Sequence, residues 1–362
     1  MFTRFIKGLL YSLGIALICY SITSCSLNGE PGNDNASSRS AIIGAGSTFA
    51  NPIYTKMIDE YRAKAGLEST YQSIGSSGGI KSIMNRTVDF GASDAFLSDD
   101  EMNMFPSSVV QFPTCLGAVV ISYNLPGNPQ LKLTPEIIAG IFLGTITNWN
   151  DSKLKAENPG VRLPDEKITV VHRADGSGTS YVMTDYLSKV SPEWKTAIGV
   201  SKTPKWPVGA SGIGNEGVSG IIKLTPGAVG YIELTYAIPQ SLGYALVKNA
   251  SGKYIKPTLE SITNAANVDM PADARISITN TSVADGYPIS SFTWILIYKE
   301  QDYNNRTIIR AASMLKEFWW IVHEGQQYTQ PLNYAPLPPK AVIAAEKVLK
   351  SVTYDGLPAF QE

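Results

Sequence analysis

Three loops of small residues, each followed by a segment of helical character, constrain this chain most. They are Gly44-Ala45-Gly46-Ser47-Thr48-Phe49, Gly75-Ser76-Ser77-Gly78-Gly79 and Arg173-Ala174-Asp175-Gly176-Ser177-Gly178-Thr179-Ser180. Each places backbone N–H groups and hydroxyls at a helix start, where donors lack intrahelical partners and the positive dipole end lies. One such loop is an ordinary turn or cap. Three in one chain, one carrying an Arg and an Asp, point to a single buried oxyanion held from several sides.

The segments around the loops alternate. Ala41–Gly46 reads as a buried strand, and 51–64 has apolar residues at helical spacing, namely Ile53, Tyr54, Met57, Ile58 and Tyr61. Ser69–Ile74 reads as a strand, 79–85 as a helix start, and Val88–Ser93 as a strand ending at Asp94. Lys167–His172 is a strand that delivers Arg173, and 179–190 is helical. Helices are also expected over 134–143, 213–224, 258–266, 308–324 and 340–351, and a strand over 228–234. This repetition predicts an α/β fold with a mostly parallel sheet. Two longer apolar runs, 111–124 with Pro113 inside it and 289–298, are candidate chain crossings between two lobes. Ligands in such sheets sit beyond the C-terminal ends of strands, where all three loops lie. The first two loops and Asp94 precede the first crossing and the Arg173 loop follows it, which places the site in a cleft between the lobes.

Length and charge fit this reading. The 362 residues suffice for two cores, and a formal net charge of −1 offers no global field for nucleic acid or an acidic membrane. Attraction for an anion must be local.

The N-terminus reads as a leader. Arg4 and Lys7 precede an apolar run, 8–20, that is too short to span a membrane comfortably, and Ile22-Thr23-Ser24 stands before Cys25. Residues 1–24 form a secretory signal. Small residues directly before a Cys resemble a bacterial lipobox, in which Cys25 becomes the lipidated first residue; an ordinary signal with an incidental Cys is the alternative. Residues 25–40, rich in Ser, Asn and Gly, read as a flexible tether. Of the three cysteines, only Cys115 would remain free, which leaves no intrachain disulfide. Two His and one Cys, unclustered, do not make a metal site.

Four motifs in order, the three loops and Asp89-Phe90-Gly91-Ala92-Ser93-Asp94, together resemble the periplasmic phosphate-binding proteins of bacterial phosphate ABC transporters. Lys205-Trp206-Pro207, Pro226–Tyr231 and Tyr287-Pro288-Ile289-Ser290 extend the similarity over essentially the whole chain from Ala41. The resemblance implies a two-lobe type II periplasmic-binding-protein fold with the ligand in the interlobe cleft, lobe I from 41–115 and 286–362, and lobe II from 116–285. It implies no catalysis and no cofactor. Its partners would be inorganic phosphate, a membrane-embedded ABC permease with its ATPase, and a membrane reached through lipid on Cys25, with the protein in the periplasm or at the cell surface. Residue by residue, it implies that Thr48 and Phe49 donate from the first loop and Ser76 from the second, that Asp94 accepts, and that Arg173, held by Asp175, is the cationic side chain. Ser177, Gly178 and Thr179 donate from the third loop. His172, Ala50 and Phe96 depart from the family pattern at positions that are not ligands.

Other motifs weigh less. Gly75-x-Ser77-x-Gly79 matches a nucleophile elbow, so an esterase is the rival from another class, but its only candidate bases are His172 and His323. Gly212-x-Gly214-x-x-Gly217 matches a dinucleotide fingerprint; Trp206-Pro207 before it argues for a helix-start loop outside any βαβ unit. Gly79-Ile80-Lys81-Ser82 lacks the Gly a nucleotide-binding loop needs before its Lys. Lys and Glu of the later helices are expected on solvated faces. A binder of another oxyanion, or an adhesin or sensor on the same scaffold, remains a third reading.

Overall fold

The computed structural model describes residues 41–360. One nine-stranded sheet runs through it. Its strands in chain order are β1 (Ile42–Gly46), β2 (Ser69–Ser73), β3 (Phe90–Ser93), β4 (Val109–Tyr123), β5 (Thr169–Arg173), β6 (Ala210–Gly212), β7 (Ala228–Glu233), β8 (Gly243–Tyr244) and β9 (Ser290–Tyr298). Their spatial order is β2-β1-β3-β9-β4-β7-β5-β6, with β8 beside β4.

The sheet is mixed rather than mostly parallel. Parallel pairing holds within β2-β1-β3 and within β7-β5-β6. Between these halves, β9 and β4 pair antiparallel with each other and with their outer neighbours β3 and β7. The two long apolar runs are thus the seam between the halves. All fifteen β4 residues but Val110 are buried, and so are all nine of β9. The β4–β9 register runs from Tyr298↔Val109 to Ser290↔Ala118 and shifts between Thr293 and Trp294, leaving Thr114 as an extra residue. A proline lacks a ladder donor and survives in a central strand only at such a bulge, which explains Pro113 beside it.

Helices cover the sheet: α1 (Asn51–Ala65), α2 (Ser76–Met84), α3 (Asp99–Asn103), α4 (Pro135–Leu143), α5 (Gly178–Val190), α6 (Gly214–Leu224), α7 (Leu259–Ala265), α8 (Ile308–Val322) and α9 (Pro339–Lys350). On α1 the five residues of helical spacing, Ile53, Tyr54, Met57, Ile58 and Tyr61, are the buried ones. Each such side chain contributes roughly 1.5–3 kcal/mol of burial, which fixes the face and hence where the helix start points. The α4 start is set by Thr134, whose hydroxyl accepts from the Ile137 N–H at 3.3 Å, with Pro135 in the first turn.

Two further expectations need correction. Gly212–Gly217 does open a βαβ unit, because β6 leads into α6 and α6 returns to β7, parallel to β5 like β6. Ala210 and Ser211 of β6 are exposed, so this edge strand carries no apolar signature. On α8, Glu317 does not face solvent: it is buried, accepts from the Ser69 hydroxyl at 2.7 Å, and burial pushes its carboxyl up to about 7. Cys115 is free and buried. Residues 1–40, with the signal, Cys25 and tether assignments, lie outside the described residues. Within them, no helix is long and apolar enough to cross a membrane.

Candidate anion-binding cleft

The three loops converge where the parallel strands of both halves end. The first follows β1 into α1, the second follows β2 into α2, and the third follows β5 into α5. Their halves touch directly: the Ser77 N–H donates to the Gly176 carbonyl at 3.0 Å. Close approach requires glycine at two positions. A Cβ on Gly75, whose φ is +81°, would lie 2.9 Å from the Gly176 oxygen, and one on Gly178 would lie 2.5 Å from both Asp94 Oδ2 and Ser76 Oγ.

Thr48, Phe49, Ser76, Asp94, Arg173, Ser177 and Thr179 are each at least nine-tenths buried, and Gly178 is buried beside them. The amides of Thr48, Phe49, Ser76, Gly178 and Thr179 have no acceptor among the described residues. Buried N–H groups are almost always paired in proteins, so five orphans at three helix starts mark a place built to receive acceptor oxygens.

Arg173 is aimed by its neighbours. Its Nε donates to Asp175 Oδ1 at 2.8 Å, its Nη2 to Asp175 Oδ2, and its Nη1 to Thr179 Oγ1 at 3.3 Å. Asp175 also accepts from the Gly214 N–H at 3.0 Å, and its interactions with Arg173 hold its carboxyl below the usual range despite partial burial. Ser177 caps α5: its hydroxyl accepts from the Ser180 N–H at 3.0 Å and keeps its own hydrogen to donate.

Asp94 faces these donors from the end of β3. Its Oδ1 accepts from Ser47 Oγ at 2.5 Å and from Thr293 Oγ1 at 2.7 Å. Burial pushes its carboxyl up to about 6; the hydrogen bonds from Ser47 and Thr293 and the charge of Arg173 limit the rise. With Oδ1 engaged twice, Oδ2 is the oxygen turned to Gly178 and Ser76.

The fourth loop, at the α6 start, was not legible as part of the site. The Asn215 side-chain amide donates to Thr48 Oγ1 at 2.8 Å and Thr179 Oγ1 at 3.1 Å, its backbone N–H donates to Thr48 Oγ1 at 3.2 Å, and its Oδ1 accepts from the Glu233 N–H at 3.0 Å. The signal for it was the same as for the other loops, small residues before a helix. Thr293 was missed too; a hydroxyl inside an apolar strand needs a partner, and that was its signal.

The two histidines lie elsewhere. His172 is half-buried and stacks on Trp206 with centroids 5.2 Å apart, and burial lowers its pKa. His323 pairs with Glu346 at 2.9 Å beside Trp319. Neither is hydrogen-bonded to Ser77, so the nucleophile-elbow reading finds no base there.

Fold and cleft together define a two-lobe solute-binding protein of the periplasmic type. A profile described as the PBP superfamily domain matches residues 32–324. Phosphate-binding protein PstS of Xylella fastidiosa strain 9a5c is 37% identical over 361 residues, covering 92% of this chain and 96% of that one. Phosphate-binding protein PstS of Pasteurella multocida is 38% identical, covering 83% and 87%. The solved phosphate-binding protein of Stenotrophomonas maltophilia superposes with a TM-score of 0.64 at 20% identity, covering 85% of this chain and 93% of that one. The chain belongs to the phosphate-binding protein family of the PBP superfamily.

Proposed function

We propose that the protein captures inorganic phosphate outside the cytoplasm and delivers it to an ABC permease and its ATPase. The observation that carries this reading is the set of five buried, unpartnered amides around Arg173 and Asp94. The names of the relatives support it. Thr48, Phe49, Ser76, Ser177, Gly178 and Thr179 donate to the anion, Arg173 supplies the full charge, and Asp94 accepts the proton that phosphate carries at neutral pH. Sulfate carries no such proton and would face the Asp94 carboxylate directly. A site built on a specific hydrogen bond rejects an analogue lacking it by up to about 10⁴–10⁵. Micromolar capture needs only about −8 kcal/mol, within reach of several charge-assisted bonds at about 1.5–3 kcal/mol each.

Residues 41–115 and 286–362 form lobe I and 116–285 lobe II in this reading. Closure joins them through Ser77–Gly176, Asn215–Thr48 and Arg275–Asp99, the last at 2.5 Å. Residues 1–24 direct export, lipid on Cys25 anchors the protein, and 25–40 tether it. The esterase reading has no matching geometry, and the family is one of transport binding proteins. The test is calorimetric titration of ligand-stripped protein with phosphate, then sulfate, at neutral pH. One-to-one phosphate binding with sulfate silent is expected; sulfate binding the Asp94 site as tightly would overturn the assignment.

A further inference from the structure

The first loop differs from the other two in what holds it. Ser76 and Gly178 open α2 and α5, and helical hydrogen bonds fix the peptides that carry their amides. The Gly79 N–H donates to the Gly75 carbonyl and the Tyr181 N–H to the Ser177 carbonyl, both at 3.0 Å. Thr48 and Phe49 stand before α1 and have no such support. The Tyr54 N–H reaches back only to the Ala50 carbonyl, at 2.9 Å, and Ala50 makes no side-chain cap. No backbone N–H among the described residues reaches the carbonyls of Ser47, Thr48 or Phe49.

Three tyrosine hydroxyls take that place. Tyr71 donates to the Ser47 carbonyl at 2.9 Å, Tyr236 to the Thr48 carbonyl at 2.6 Å and Tyr334 to the Phe49 carbonyl at 2.5 Å. A planar peptide unit joins the carbonyl of one residue to the N–H of the next. Tyr71 and Tyr236 therefore grip the far ends of the two peptides whose N–H groups, on Thr48 and Phe49, face the cleft unpartnered. A peptide held at its oxygen cannot rotate its N–H away, and a bond at the oxygen strengthens that N–H as a donor. Tyr334 holds the peptide that follows, whose N–H on Ala50 donates to Ser47 Oγ at 3.2 Å.

Both phenols are committed as donors. Burial pushes the Tyr71 and Tyr236 phenols up, so each keeps its proton. The Tyr236 oxygen also lies 3.0 Å from Glu216 Oε1. Its single hydrogen belongs to Thr48, because two oxygens 2.6 Å apart with no proton between them would repel. The two tyrosines reach the loop from different sides. Tyr71 sits on β2, in the same lobe as the loop, with its ring against Tyr54 at 5.1 Å and Phe90 at 6.1 Å. Tyr236 lies in the helical turn 234–237 that follows β7, in the other lobe, so its grip forms when the lobes close.

We infer that Tyr71 and Tyr236 are positioning residues for the anion, orienting the Thr48 and Phe49 amides from behind, Tyr71 at all times and Tyr236 on closure. The inference rests on the phosphate-binding reading of the cleft.

The experiment compares Tyr71→Phe, Tyr236→Phe and Tyr298→Phe in the mature chain, each losing a hydroxyl and keeping its ring. Tyr298 is the control: it donates to the Met84 carbonyl at 3.0 Å, at the end of α2 away from the cleft. Phosphate affinity is measured by calorimetry, dissociation by stopped flow, stability by melting temperature without phosphate, and backbone carbonyl and amide shifts by NMR of the phosphate-bound protein. Tyr71→Phe and Tyr236→Phe should each weaken phosphate about two- to tenfold, Tyr236→Phe chiefly through faster dissociation. Tyr298→Phe should lower the melting temperature and leave affinity unchanged. Tyr71→Phe should move the Ser47 carbonyl and Thr48 amide together, and Tyr236→Phe the Thr48 carbonyl and Phe49 amide, a pairing that mere loss of packing would not give. Wild-type affinity in both variants, or carbonyl and amide shifts that do not pair in this way, would overturn the inference and leave the phosphate-binding reading standing. Absence of phosphate binding by the wild type would overturn both.

Discussion

Thr293→Val probes how the fold sets the charge of Asp94. Thr293 contributes one of the two side-chain hydrogen bonds to Asp94 Oδ1, at 2.7 Å, inside a fully buried strand. Burial already raises the Asp94 carboxyl to about 6, and the Thr293 hydroxyl opposes that rise. A hydrogen bond to a charged group is worth about 1.5–3 kcal/mol, or about one to two pK units. Without it the carboxyl would titrate near about 7–8. In the proposed reading Asp94 must be ionised to accept the phosphate proton, so binding should be lost as pH falls through its pKa. At pH 6 the wild type is about half ionised and the variant about 1–10%, a predicted affinity loss of about 5- to 50-fold; at pH 8 the loss is about twofold or less. Phosphate's own titration is common to both proteins and cancels in the ratio. The assay is phosphate affinity by calorimetry from pH 5 to 8.5, with buffers of different ionisation heat to count protons. A wild-type to variant ratio that stays constant across this range would refute the reasoning.

Asn215→Leu should weaken phosphate about tenfold or more, because it frees the Thr48 and Thr179 hydroxyls to turn away from the proposed ligand, and should lower the melting temperature of the phosphate-free protein, because it leaves the buried Glu233 N–H without its acceptor; titration against a thermal melt separates the two effects. Asp94→Asn should narrow the gap between phosphate and sulfate more than it lowers phosphate affinity, and equal losses for both anions would count against the proton-acceptor role. Glu317→Gln acts on stability alone. The Glu317 carboxyl is near 7 in the fold against 4.5 ordinarily, so the unfolded chain ionises first and native stability falls from about pH 4.5 to about 7, by roughly 3 kcal/mol in all, then levels off. The variant should lack that decline, which melting temperatures across the range would show.

What was legible followed local signals. The α1 face was readable because its five core residues recur at helical spacing and nothing else in the segment competes. The loops and Asp94 were readable because small residues before a helix, and an acid closing a short strand, state their geometry within a few positions. The missing part depends on partners distant in sequence. The antiparallel seam could not be read, since an apolar run does not reveal which strand it will pair with or in which direction. Asn215 was hidden because β6 is an exposed edge strand with no apolar run to announce the βαβ unit. Glu317 stands one position before Phe318 and three after Met314, on the buried stripe of α8. Its position stated its burial more reliably than its charge stated exposure.

The selectivity proposed for the cleft rests on groups that never reach the ligand. Thr48 Oγ1 accepts from the Asn215 backbone and side-chain N–H groups, and Thr179 Oγ1 accepts from Asn215 and Arg173. A hydroxyl with both lone pairs engaged can only donate. Two side chains that could otherwise serve either polarity are thereby fixed as donors. Asp94 is fixed the other way: Ser47 and Thr293 occupy Oδ1, and Oδ2 faces the opposing loop. The polarity of the cleft is then decided before an anion enters, with many donors and one acceptor oxygen. An anion with one proton satisfies that pattern. One with none leaves the carboxylate buried and unanswered, and one with two sets a second O–H against a donor. The discrimination thus depends on Asn215 and Thr293 keeping the ligand-facing groups from reorienting to suit a wrong anion.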